Sequence, residues 1–254
     1  HDQLRGEAAT LSFFSNNQFT NGMVIRVAGL AYQKGFGGHY HNDNSIAIFR
    51  DLPGVVLACP SNGEDAVKMM RTCVKEAHEF GRVFVFLEPI ALYPVRDLHD
   101  KGDSEWCGKY PIDTNDRIEI GDFFVDGESK DLCIVSYGSG YFLSQQAKLI
   151  LQSRYKINIK LIDLRWLTSI NETALCAELE KSKRVLIVDE CRRSGSLSEG
   201  IMAMMLDHCK TMPETKRLCG EDSYIPLGDA ANLVLPQTED IIDAVVQLLG
   251  RDHD

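Results

Sequence analysis

The stretch "GFGGHYHNDNS", residues 35–45, holds the densest set of groups able to do chemistry in the chain. His39 and His41 alternate, so in an extended segment both imidazoles leave the same side. A metal is one possible user, because two alternate histidines can share a zinc ion in dinuclear hydrolases. Such sites need a further histidine next to the aspartate, and Asn44 stands there instead. His78, His99 and His208 have no ligand-like neighbours, so no metal is expected. A phosphate cradle is a poor fit too: "GFGG" is followed by neither Gly-Lys-Ser/Thr nor a Gly-x-Gly-x-x-Gly helix start. A glycine turn with polar residues facing water remains open. The stretch nevertheless follows the apolar run "MVIRVAG", beyond the carboxyl end of a strand. In open α/β sheets that edge is where ligands bind, and a histidine there can donate or accept a proton near neutral pH. A catalytic loop is the leading reading.

Two other polar clusters follow strands. "IDLRWL" puts Asp163 and Arg165 at a strand end, where a structural ion pair is expected. "VDECRRSGSLSEG" puts Glu190, Arg192 and Arg193 between a strand and a helix. Its glycine spacing does not suit a nucleotide, and a surface or interface loop is the better reading.

The elements that must position these groups alternate along the chain. Residues 2–15 have helical spacing, which Asn16-Asn17 can end. "MVIRVAG", "VVLACP" and "RVFVFLE" read as strands, and "SNGEDAVKMMRTCVKEAHEF" as a capped amphipathic helix. From residue 93 the pattern dissolves into Asp, Gly, Pro and Lys up to residue 129. Strand and helix signals then alternate to the closing "TEDIIDAVVQLL", as in a doubly wound parallel sheet. The first series offers only three strands, which predicts that the front of the first domain lies outside this chain. Among the 254 residues, a net charge of -10 argues against a nucleic-acid binder. No apolar run reaches the length of a membrane span. The eight cysteines are scattered, with no Cys-x-x-Cys, and read as free thiols.

Taken in order, "DQLRGEAA", "MVIRVAG", "GGHYHNDN", "LPGVVLACPSNGEDA", "FLEPIALY", "IDLRWL" and "VDECRRSGSLSEG" resemble the β chain of thiamine-diphosphate-dependent 2-oxo-acid dehydrogenases. That family includes the pyruvate and branched-chain enzymes and, more distantly, the transketolases. The resemblance covers nearly the whole chain and is nearest to versions with α and β portions fused. It implies an α/β fold: an incomplete thiamine-diphosphate-binding, pyrimidine-type parallel-sheet domain (1–93), a linker (94–122), and a transketolase C-terminal-like, doubly wound α/β domain (123–254). The family's His-Ser-Gln-Ser loop falls on His41, Asn42, Asp43 and Asn44. His41 is thereby implied as the catalytic group beside the cofactor's thiazolium and the entering lipoyl group. His39, Tyr40, Asn42, Asp43 and Asn44 would form the substrate and lipoyl loop, and Arg165, Glu190, Arg192 and Arg193 interface residues.

The implied cofactor is thiamine diphosphate with Mg²⁺, in the complete enzyme only. The family's aminopyrimidine-binding glutamate and aromatic residue lie upstream of the segment matching Asp2-Gln3, and its Mg²⁺-diphosphate site lies on the α portion. The chain alone is therefore expected to be inactive. The K⁺ site known near the segment matching residues 73–78 is not assigned, because "KEAHEFGRV" is longer than the usual turn. Implied partners are the α subunit or portion, a second β chain and a lipoylated dihydrolipoyl acyltransferase. Neither nucleic acid nor membrane is expected to bind. The compartment would be the cytoplasm, or the mitochondrial matrix in a eukaryote. The alternatives are a transketolase-like or deoxyxylulose-phosphate-synthase-like transferase, and a non-catalytic assembly and docking module.

Overall fold

The computed structural model describes residues 1–32 and 43–250. Its first sheet is parallel, in the order β1-β3-β2, from β1 (Met23–Gly29), β2 (Val55–Ala58) and β3 (Val83–Pro89). β2 and β3 are apolar on both faces because both are covered, while the edge strand β1 is only partly buried and carries the exposed Arg26. Val55, Leu57, Val83 and Val85 join one core cluster, while Val56, Ala58, Phe84 and Phe86 join another. The second cluster is closed by Met69 and Cys73 of α3 (Gly63–Phe80). Asn62 caps α3 by accepting the Asp65 amide, and Glu64 and Asp65 favour the positive end of its dipole. Gly81, at φ +66°, ends it in the left-handed conformation that glycine adopts at no steric cost.

The second sheet runs β4-β6-β5-β7-β8, from β4 (Phe124–Asp126), β5 (Leu132–Ser136), β6 (Lys160–Asp163), β7 (Arg184–Arg192) and β8 (Glu214–Gly220). One face packs on α4 (Gly138–Tyr155) and α7 (Thr238–Leu248), where Leu132, Ile134, Leu186 and Val188 meet Ala147, Leu151, Ile241 and Val245. The other face carries α5 (Glu172–Leu179) and α6 (Leu197–His208). That cluster also holds Val55, Leu57 and Val85, so the two sheets share one core.

They also share hydrogen bonds. Leu167 N–H donates to Leu57 O (2.8 Å), Leu57 N–H to Thr168 Oγ1 (2.8 Å) and Cys59 N–H to Arg165 O (2.7 Å). With an antiparallel bridge between Ala58 and Trp166, residues 165–168 line the free edge of β2.

Four expectations are corrected. The sheet is mixed, because β4 pairs antiparallel with β6 inside the stretch read as irregular. At three residues, β4 is too short to show a period. The helix expected over 2–15 is broken into a π turn (Leu4–Ala8) and the short α1 (Leu11–Phe14). At the break, Thr10 Oγ1 donates to Gly6 O (2.9 Å), a back-bond that competes with the helix ladder. The four-residue α2 (Ala47–Arg50) follows the histidine loop, and α4 begins three residues before the expected Tyr141.

Candidate functional site

The order of the second sheet reverses at β5: the chain leaves β5 for β6 on one side and later builds β7 and β8 on the other. The carboxyl ends of β5 and β7 therefore flank the crevice where ligands bind in open α/β sheets. Here the carboxyl edge of the first sheet fills it. Gly138, the first residue of α4, sits at φ +53°, and a Cβ built on it would lie 3.2 Å from Cys59 Sγ and 3.3 Å from both Leu30 Cδ1 and Pro89 Cγ. Only glycine permits this approach. Its N–H donates to Ser61 Oγ (2.8 Å).

Acidic groups line the plugged crevice. Asp189 is fully satisfied: Oδ1 accepts from Tyr137 OH (2.7 Å) and the Cys191 amide (3.0 Å), and Oδ2 from the Ser198 amide (2.8 Å). Glu190 is buried, and its Oε2 accepts from the Ala31 amide at 3.4 Å. Burial pushes its carboxyl up to about 8 against the pull of the Ala31 and Ser139 amides. Burial likewise raises Asp163 to about 7, while Ser61 and the Arg165 amide stabilise its charge. Glu190 Oε1 and Asp163 Oδ2 have no partner among the described residues. Burial thus shifts both side chains toward the protonated form. The burial that raises them also raises the thiols of Cys59 and Cys191.

His39, Tyr40, His41 and Asn42 lie outside the described residues. The residues after them do not. Asn44 is buried and donates from Nδ2 to the backbone oxygen of Glu190 (2.6 Å). Asp43 Oδ1 accepts from the Ser45 amide (3.0 Å) and hydroxyl (2.6 Å), an Asx-type turn. Arg192 donates to Ser45 Oγ (2.9 Å) and stands 3.4 Å from Asp43 Oδ1. Residues 43–45 and 190–192, nearly 150 residues apart, are thus brought together at the carboxyl edges of both sheets.

The remaining expected residues divide. Glu190, read as part of a surface or interface loop, is instead buried within the chain, because the first sheet covers the end of β7. Arg193 is exposed. Arg165 receives only a weak contact from Asp163, through its backbone amide (3.4 Å); its guanidinium pairs with Asp65. The expected Asp163–Arg165 ion pair is therefore replaced, since Arg165, at φ +60°, turns its side chain toward α3. Ser61, Tyr137, Gly138 and Asp189 were not singled out by motif. Their only signal is position, at the carboxyl ends of apolar runs. A cavity of about 880 Å³ opens elsewhere, beside the first turns of α3 and between Phe86, Glu88, Trp106 and Tyr110. It meets the crevice at Ser61 and Pro89.

Residues 121–241 match the family described as "Transketolase, C-terminal domain". The chain is 27% identical over 247 residues to 2-oxoisovalerate dehydrogenase subunit beta 2, mitochondrial, of Arabidopsis thaliana, covering 96% of this chain and 64% of that protein. It is 24% identical over 255 residues to the pyruvate dehydrogenase E1 component subunit beta of Bacillus subtilis, covering 98% and 71%. Against the Dictyostelium discoideum 2-oxoisovalerate dehydrogenase subunit beta, it spans 57% of the relative's length. The fold is similar to a solved split gene transketolase, described as an inactive beta4 tetramer, with TM-score 0.64, 19% identity and coverage of 97% and 74%.

Proposed function

From a chain whose residues 121–241 form a transketolase C-terminal domain, and which is a distant homologue of 2-oxo-acid dehydrogenase E1 beta subunits, we propose the β portion of such an enzyme. The observation that carries this reading is the anchoring of residues 43–45, which follow the two histidines in the sequence. Asn44 is fixed on Glu190, and Asp43–Ser45 on Arg192, at the edge where two α/β sheets meet. His41, three residues before Asn44, is proposed as the proton donor and substrate-orienting group, with His39, Tyr40 and Asn42 as its neighbours. We also propose the division of the chain at 1–93, 94–122 and 123–254.

The described residues do not fit thiamine diphosphate with Mg²⁺. Among them, no group of three or more His, Cys, Asp or Glu is placed to hold a metal. Asp189 spends its oxygens on three donors, and Asp163 and Glu190 favour the neutral form, which Mg²⁺ does not bind. In this proposal the α subunit or portion, with further β segments, supplies the grip on the cofactor, and the lipoylated acyltransferase receives the acyl group. What this chain supplies is a water-poor wall, a positioned proton donor and the contact between two domains. No helix of the described residues is long and apolar enough to cross a membrane, and we propose a cytoplasmic or matrix location.

The test is assembly of the chain, joined to the upstream β segment of a 2-oxo-acid dehydrogenase, with that enzyme's α subunit, followed by assay of 2-oxo-acid decarboxylation and lipoamide acylation. The chain alone should be inactive and the assembly active. Ketol transfer without lipoamide acylation would favour a transketolase-like transferase. A stable but inert assembly would favour a docking module. Either result overturns the dehydrogenase reading.

A further inference from the structure

One face of α5 is fastened to the end of α6. Glu172, Cys176 and Glu180 recur at four-residue intervals, hence on one side of the helix. Opposite them, His208, Cys209 and Lys210 follow one another where α6 ends. Glu172 Oε2 lies 3.0 Å from His208 Nε2. Glu180 Oε1 accepts the backbone amides of Lys210 and, at 3.0 Å, of Thr211. The two cysteines fall between these fastened ends. Cys176 is buried in the shared core, and Cys209, half-buried, packs against the same cluster. Burial and then the neighbouring Cys209 thiol push the Cys176 thiol up to about 12.

We propose that Cys176 and Cys209 are a disulfide-forming pair, oxidised by a low-molecular-weight disulfide that enters at Cys209. Accessibility sets the order, because the half-buried sulfur meets the reagent first. The Cys209 thiolate attacks one sulfur of the reagent, breaks its S–S bond and releases one thiolate. The Cys176 thiol then gives up its proton and attacks Cys209 Sγ. The second thiolate leaves, and the released thiolates take up the two thiol protons. Two protein thiols lose two electrons, and the reagent is reduced to two thiols. The resulting bond locks α5 to α6 at the midpoint of a contact already held at both ends. Four other cysteines are buried and shut off from this exchange, the half-buried Cys219 lies 3.4 Å from the Ser198 hydroxyl, and Cys107 is the exposed control.

The test is treatment of the full chain with oxidised glutathione, alkylation of the remaining thiols under denaturing conditions, and peptide mapping by mass. The expected product is one linked peptide pair, Cys176 to Cys209, absent in Cys209→Ser and retained in Cys107→Ser. The oxidised chain should melt at a higher temperature than the reduced one. Phenylarsine oxide, which bridges neighbouring thiols, should bind wild type at one equivalent and Cys209→Ser at none; this readout avoids substituting the buried Cys176. A stable glutathione adduct on Cys209 with Cys176 still alkylatable, or Cys209 linked to any other cysteine, would overturn the proposal.

Discussion

Arg165 holds both carboxylate oxygens of Asp65, at 2.7 and 2.9 Å, although 100 residues separate them. The pair is largely buried, and the guanidinium also lies over the Phe124 ring, 5.3 Å from its centroid. One contact thus ties α3 of the first sheet to the edge strand of the second. Removing one partner leaves the other charge desolvated and alone. Asp65→Ala should therefore cost about 3 kcal/mol in urea unfolding. A cost below about 1 kcal/mol would show that the pair is solvated in solution.

Glu190 and Asp163 set an unusual pH response. Their folded carboxyls are raised, to about 8 and about 7, above the ordinary unfolded range. A raised acid binds more protons when folded, so its contribution is complete below the unfolded pKa and is lost as pH rises through the folded one. With both groups acting, unfolding free energy should fall by on the order of 5 kcal/mol between pH 5 and pH 8. Glu190→Gln and Asp163→Asn should each flatten that slope. A profile unchanged by both substitutions would show that neither group titrates there.

Gly138→Ala places a methyl group against Cys59, Leu30 and Pro89 on a backbone at positive φ. Strain and overpacking together should cost about 2 kcal/mol. Thermal melting checks it, and Gly195→Ala, also at positive φ but with nothing within 4 Å of the added carbon, isolates the backbone share.

Asn44→Ala removes the donor to the Glu190 carbonyl inside a buried contact. The loss should be about 1 to 2 kcal/mol. Faster amide exchange should appear over residues 44–50 and 189–192 and be absent from β6. Exchange confined to one of the two segments would contradict the contact.

In the assembled enzyme, His41→Ala should lower lipoamide acylation by a factor of about 10² to 10⁴ while leaving cofactor affinity nearly unchanged. His39→Ala should cost far less. Comparable losses at both positions, mimicked by a chelator, would instead indicate a metal shared by the two histidines. Wild-type rates for both variants would favour an ordinary turn.

Most strands were legible because Val, Ile, Leu and Phe dominate them, and α3 because Asn62 and Gly81 mark its ends. The short β4, the broken first helix and the four-residue α2 were not, since none of these pieces spans two full periods of its pattern. Nor does local sequence tell which charge Arg165 prefers. Its near neighbour Asp163 sits at the same strand end, and tertiary packing delivers Asp65 instead. The burial of Glu190 was hidden for a similar reason: "DECRR" is polar, and only the arrival of Ala31 and Asn44 takes its first residues out of water. The resemblance to a known enzyme family came from the order of many short segments, a signal that no single motif carries.

Residues 165–168 run along the edge of β2 as though they belonged to the first sheet. The chain has therefore stitched its two halves by backbone, independently of the peptide that connects them. A protease that cut the exposed turn around Lys101 and Gly102 would leave two fragments still bound as one particle, separable only by denaturant. Such a nick would also free the two halves to be made as separate polypeptides that find each other through the same backbone ladder.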